Sequence, residues 1–70
     1  MYPRMKELRE KAGLSQEGLT SYLRINLRKY KKYESGKKEP TFVVLLQLSL
    51  FYDVSIPYIC GKTDNPERRY

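Results

Sequence analysis

Seventy residues bound this chain to one small domain that buries at most about 60% of its unfolded surface, so a binding module is expected before a deep catalytic pocket. Fourteen Lys and Arg against eight Asp and Glu give a formal net charge of +6, with no histidine and one cysteine, Cys60. This composition excludes an internal disulfide and a His/Cys zinc site; without histidine, and with most carboxylates on expected solvent faces, no acid–base constellation of an enzyme is expected.

The pattern is all-helical, with five short apolar-periodic segments, no repeat and no low-complexity tract. Residues 1–3 read as an N-terminal tail. Met5, Leu8 and Ala12 recur at helical spacing and Gly13 follows as a left-handed terminator, so a first helix is expected over about 4–12. Ser15 caps a second over about 16–23, with Leu19, Tyr22 and Leu23 on its apolar face. Gly18 weakens that helix by roughly 0.5–1 kcal/mol relative to alanine and removes the acid of a capping box. Asn26 caps a third helix over about 27–35, which Gly36 ends; Pro40 prevents its continuation. Thr41 caps a fourth over about 42–52, and Ser55 a fifth over about 56–60, with Pro57 in its first turn and Gly61 closing it. The domain is therefore expected over 4–61, and 62–70 reads as a loosely ordered polar end.

The charge is concentrated. Between Arg24 and Lys38 stand seven cations against Glu34 alone, while the rest of the chain balances seven cations with seven acids. Such asymmetry points to a polyanion. Projected at about 100° per residue from Leu27, Tyr30 and Tyr33 fall at about 300° and about 240°, whereas Arg28, Lys31, Lys32 and Lys29 fall at about 100°, about 40°, about 140° and about 200°. The tyrosines thus suit a core-facing stripe rather than a ladder for stacking bases, and the opposite face is wholly basic. A run of cations is often only a solvated helix face. Here, however, the second helix, a three-residue turn and the third have the spacing of a helix-turn-helix, whose second helix fits the major groove. Gln16 opens the second helix, where free N–H groups favour a phosphate, and Lys37 and Lys38 lie just past the third.

The stretches LREKAGLSQEGLTSYL, INLRKYKKYESGKKEPTFVVLLQL and VSIPYICGKTDNP resemble the Cro and phage-repressor class of bacterial helix-turn-helix regulators, the XRE family, over about Arg4 to Pro66. The resemblance implies a five-helix lambda-repressor-like domain with the helix-turn-helix at 16–35. It also implies base reading by Arg28 and Lys32, with Leu27 and Lys31 at secondary positions. Gln16, Ser35, Lys37 and Lys38 are the implied phosphate contacts, and Asn26 and Lys29 are expected to join them. Arg9 and Glu34 match a pair that forms a partly buried salt bridge between the first and third helices of such repressors.

Three departures from the family pattern stand out. Arg24 occupies a turn position usually held by glycine or asparagine, where positive φ is often required. Thr20 replaces a small alanine at a helix crossing. The fourth helix carries Val43, Leu46 and Leu50 on the side that is usually polar, beyond the expected core positions Phe42, Leu45, Leu48 and Phe51. These three, with Tyr58, are either scattered exposed apolar residues or a homodimer interface.

The function expected is a sequence-specific double-stranded DNA-binding transcriptional regulator, a repressor acting by promoter occlusion, homodimeric and cytoplasmic, with no cofactor and no small-molecule site. At this length no ligand-sensing domain is expected, and the longest apolar run, Phe42 to Leu46, is too short to span a bilayer. The alternative is an antitoxin-like interaction module that binds another protein through the fourth helix. A membrane-surface peptide fits less well, because the third helix opposes its cations with tyrosines needed for a core.

Overall fold

The computed structural model describes residues 2–68. Five helices follow in order: α1 Pro3–Lys11, α2 Gln16–Leu23, α3 Leu27–Ser35, α4 Phe42–Tyr52 and α5 Ile56–Ile59. No strand occurs among the described residues. The domain measures 30 × 22 × 20 Å.

Each of the last four helices begins where a short polar side chain satisfies an otherwise orphaned amide. Ser15 Oγ accepts from Gly18 N at 2.9 Å, Asn26 Oδ1 from Lys29 N at 2.9 Å, Thr41 Oγ1 from Val44 N at 3.2 Å, and Ser55 Oγ from Tyr58 N at 3.1 Å. Helix α1 lacks a side-chain cap and relies on Pro3 in its first turn. Its last turn closes one residue earlier than expected. Ala12 becomes the exposed C-cap, and Gly13 takes φ 71°. A Cβ at position 18 would stand 3.1 Å from the capping Ser15 oxygen, so Gly18 leaves room for the cap that starts its helix.

The turn between α2 and α3 is built on Arg24, which adopts the left-handed region at φ 58°, ψ 40°. This allows Ile25 N to donate to Thr20 O at 2.9 Å and reverses the chain within three residues. For a residue with a Cβ that conformation costs roughly 1–2 kcal/mol. Thr20 is buried at the crossing, and its hydroxyl donates to Gln16 O at 2.8 Å, so no polar group is orphaned there.

Met5, Leu19, Tyr30, Tyr33, Val44, Leu45, Leu48, Val54 and Ile59 form one core. Helix α1 packs on α3 and α5, α2 on α3, and α4 on α5. Ser49 also enters the core, where its hydroxyl donates to Val54 O. Three expected core residues lie outside it. Tyr22 and Phe42 are 72% and 66% exposed, and Phe51 sits at the surface with its ring 5.5 Å from that of Tyr22. Helix α4 buries Val44, Leu45, Leu48 and Ser49 instead, a face centred between positions 45 and 48, which leaves 42 and 51 on its edges.

The segment expected to be loose after residue 61 is tied down through residue 68. Arg4 donates from Nη1 to Tyr58 O at 2.8 Å and Thr63 O at 2.6 Å, and from Nη2 to Asp64 Oδ1 at 2.7 Å. Ser55 N donates to Pro66 O at 2.8 Å, and Arg68 Nη1 pairs with Asp53 at 3.1 Å. The Arg4 guanidinium also lies 4.1 Å above the Tyr58 ring.

Candidate nucleic-acid interface

Helix α3 is anchored from behind by its aromatic stripe. Tyr30 is 0% and Tyr33 3% exposed, with their rings edge to face at 6.5 Å. Burying that face fixes the rotation of the helix, so Arg28, Lys29, Lys31 and Lys32 all stand in solvent on the other side. Leu27 is half-buried at the start of the helix.

The one acid of the basic segment turns inward. Glu34 accepts from Arg9 Nε at 2.8 Å and Arg9 Nη2 at 3.1 Å, and Arg9 Nη1 also donates to Leu14 O at 2.8 Å. The two side chains are 11% and 5% exposed. Gln16 Nε2 adds a third donor to Glu34 at 3.1 Å. Burial pushes the Glu34 carboxyl up, but the bonds from Arg9 and Gln16 outweigh this and hold it below its ordinary value. The same carboxylate, together with burial as the larger cause, raises the hydroxyls of Tyr30 and Tyr52 behind the helix, Tyr52 to about 12. With its acid neutralised internally, α3 presents an outer surface of undiluted positive charge.

This arrangement holds Gln16 at the mouth of a cleft between α1 and α3, lined also by Lys6, Arg9, Lys31, Glu34 and Ser35. Lys6 was not among the residues singled out from the sequence. Its spacing of three from Arg9 puts both on one face of α1, which is the signal that would have found it. Ser35 donates its hydroxyl to Lys32 O at 3.1 Å. Lys37 and Lys38 follow with exposed side chains, and their backbone amides close onto Lys32 O at 2.9 and 3.3 Å. Asn26 uses its side-chain oxygen as the α3 cap, which leaves its amide NH2 without a partner among the described residues.

The residues of the apolar stripe on α4 behave differently from one another. Val43, Leu46 and Leu50 are exposed, and Phe42 joins them. Tyr58 is half-buried beneath Arg4. Among the described residues no group of three or more His, Cys, Asp or Glu gathers to hold a metal ion. No described helix is long and apolar enough to cross a membrane.

Residues 2–64 match the family described as the helix-turn-helix domain. The chain is 38% identical over 64 residues to the uncharacterized HTH-type transcriptional regulator YobD of Bacillus subtilis, covering 91% of this chain and 57% of that protein. It is 38% identical over 61 residues to the HTH-type transcriptional regulator ImmR of the same organism, covering 87% and 48%. To the cryptic phage CTXphi transcriptional repressor RstR of Vibrio cholerae it is 30% identical over 66 residues, covering 94% and 59%. The chain thus spans about half the length of the curated relatives it matches. No solved structure matches it significantly. With the two-helix unit at 16–35, the family match across the domain and regulators of phage type among its relatives, the chain belongs to the helix-turn-helix domain family, in the Cro and phage-repressor class.

Proposed function

We propose that this chain binds double-stranded DNA sequence-specifically and represses transcription by occluding a promoter. The observation that carries the reading is the opposition on α3 of buried Tyr30 and Tyr33 to exposed Arg28 and Lys32. A short helix held rigidly from behind, with its free face wholly cationic, fits the major groove. Arg28 is the first base reader, because its planar fork matches guanine O6 and N7; Lys32 is the second, and Leu27 and Lys31 flank them. Gln16, Asn26, Lys29, Ser35, Lys37 and Lys38 supply sequence-independent phosphate contacts.

A single helix of this length reads few base pairs, and pairing two copies doubles the contact while fixing half-site spacing near one helical turn, about 34 Å. The exposed apolar face of α4, with Val43, Leu46 and Leu50, is the surface for such a homodimer, and it carries no charge to repel a second copy. A cytoplasmic setting suits both the DNA target and the unpaired Cys60. Selection of bound sequences from a random duplex pool tests the whole reading. A palindrome with half-site centres about 10 bp apart is expected; a pool that stays random after repeated rounds overturns sequence-specific binding.

A further inference from the structure

Helix α3 has two basic flanks, and on the second of them the Arg24 side chain stands beside Lys29 and Asn26 with no role in the fold. Lys31, Glu34 and Ser35 line the cleft toward α1. On the opposite flank, Lys29 and Tyr33 line a second cleft of about 250 Å³, closed by Arg24, Ile25 and Asn26 of the turn and by Thr41, Val44 and Gln47. The two sets of α3 positions lie nearly half a helical turn apart, with Arg28 and Lys32 between them.

The second cleft differs in its charge. The first contains Glu34, whereas no carboxylate lines the second, and neither Arg24 nor Lys29 makes a side-chain hydrogen bond or ion pair among the described residues. The Asn26 amide NH2 is also unengaged, since only its oxygen serves the cap. Arg24 is exposed, in a left-handed backbone that glycine or asparagine would adopt with less strain. A long cation at that position is therefore not explained by the fold.

We propose that Arg24 and Lys29 clasp a backbone phosphate of DNA on the turn-side flank of α3. The inference rests on the DNA-binding reading above. A helix seated in the major groove, about 12 Å wide, has one phosphate strand along each side. The α1-side strand meets Lys6 and Gln16. The other meets the acid-free cleft, where a guanidinium, an ammonium and an amide NH2 converge on one anion. Arg24 thus contributes affinity without base preference.

The test is Arg24→Asn, which keeps a residue tolerant of positive φ while removing the charge. Its melting temperature is expected to equal or exceed that of the wild type. Its affinity for random-sequence duplex is expected to fall roughly tenfold at about 50 mM salt, with the slope of log K against log salt reduced by about 0.9. Lys29→Gln is expected to behave alike, and Lys62→Gln, away from the cleft, provides the control for simple loss of one charge. Wild-type binding with unchanged affinity and slope in Arg24→Asn overturns the clasp and leaves the DNA reading standing. Absence of duplex binding by the wild type overturns both. Replacing chloride with inorganic phosphate at constant ionic strength separates the phosphate sources: selective weakening of the wild type relative to Arg24→Asn shows the ion displacing a DNA phosphate and supports the clasp, whereas unchanged duplex affinity with a phosphate-dependent rise in the melting temperature of the wild type alone assigns the cleft to the free ion instead.

Discussion

Replacing Glu34 with alanine removes the acceptor of three hydrogen bonds, two from Arg9 and one from Gln16. The Arg9 guanidinium then stays where it is only 11% exposed, with Leu14 O as its remaining partner. Breaking a buried pair from one side costs about 3–5 kcal/mol, because an uncompensated charge is left in a poorly solvated place. A domain of this length has a total stability of roughly 4–10 kcal/mol. At about 4–8 °C per kcal/mol, the melting temperature should fall on the order of 10–40 °C. The double variant Arg9→Met with Glu34→Leu should lose less than Glu34→Ala, since no charge is left behind. Thermal unfolding followed by circular dichroism measures all three proteins. A Glu34→Ala melting curve that overlays the wild type, or a double variant less stable than Glu34→Ala, would show that the pair does not brace α3 against α1.

Arg28→Ala is expected to cost about 1–3 kcal/mol on a selected site and to relax preference at one base pair, whereas Lys37→Ala should weaken all duplexes alike and lower the salt slope by about one unit. Parallel titrations on selected and random DNA distinguish them, and equal losses for Arg28→Ala on both refute its role as a reader. Since the folded Glu34 carboxyl is held below its ordinary value of 4.5, its contribution is present above that pH and is lost as pH falls below it; acid titration of Glu34→Gln should lack this limb. Tyr52 is raised from 10.0 to about 12, so its contribution is complete below pH 10 and disappears as pH rises toward 12, and alkaline unfolding of Tyr52→Phe should begin later. Arg4→Ala removes the donors to Tyr58 O and Thr63 O, and is expected to destabilise by roughly 2 kcal/mol, with faster hydrogen exchange at the Ser55 amide that Pro66 O protects.

Helix starts were legible in this chain because each depends on a local rule, a Ser, Thr or Asn oxygen answering an amide three residues on. All four such caps formed where the sequence placed them. The facing of α3 was equally legible, since two tyrosines on one side and four cations on the other leave a single rotation that buries apolar surface. Helix α4 is the contrary case. Its sequence FVVLLQLSLFY is apolar all round, so periodicity fixes no phase, and packing selected Val44 and Ser49 while Phe42 and Phe51 moved to the surface. Tyr22 left the expected face of α2 to lie against Phe51, an association across elements that no local spacing encodes. The order of the chain end likewise depends on Arg4, about sixty positions away in sequence, through bonds invisible to a local reading. At Arg24 the sequence did reveal the backbone demand, because the turn needs a left-handed residue whatever side chain fills it.

The outer face of α3 is proposed as the surface that meets DNA. Amide and side-chain NMR shifts followed during titration with a duplex test this directly. The largest changes are expected at Gln16, across Asn26–Lys32, and at Lys37 and Lys38. Changes centred on Phe42, Leu46 and Leu50, with α3 unmoved, would place the DNA on the opposite kind of surface and contradict it.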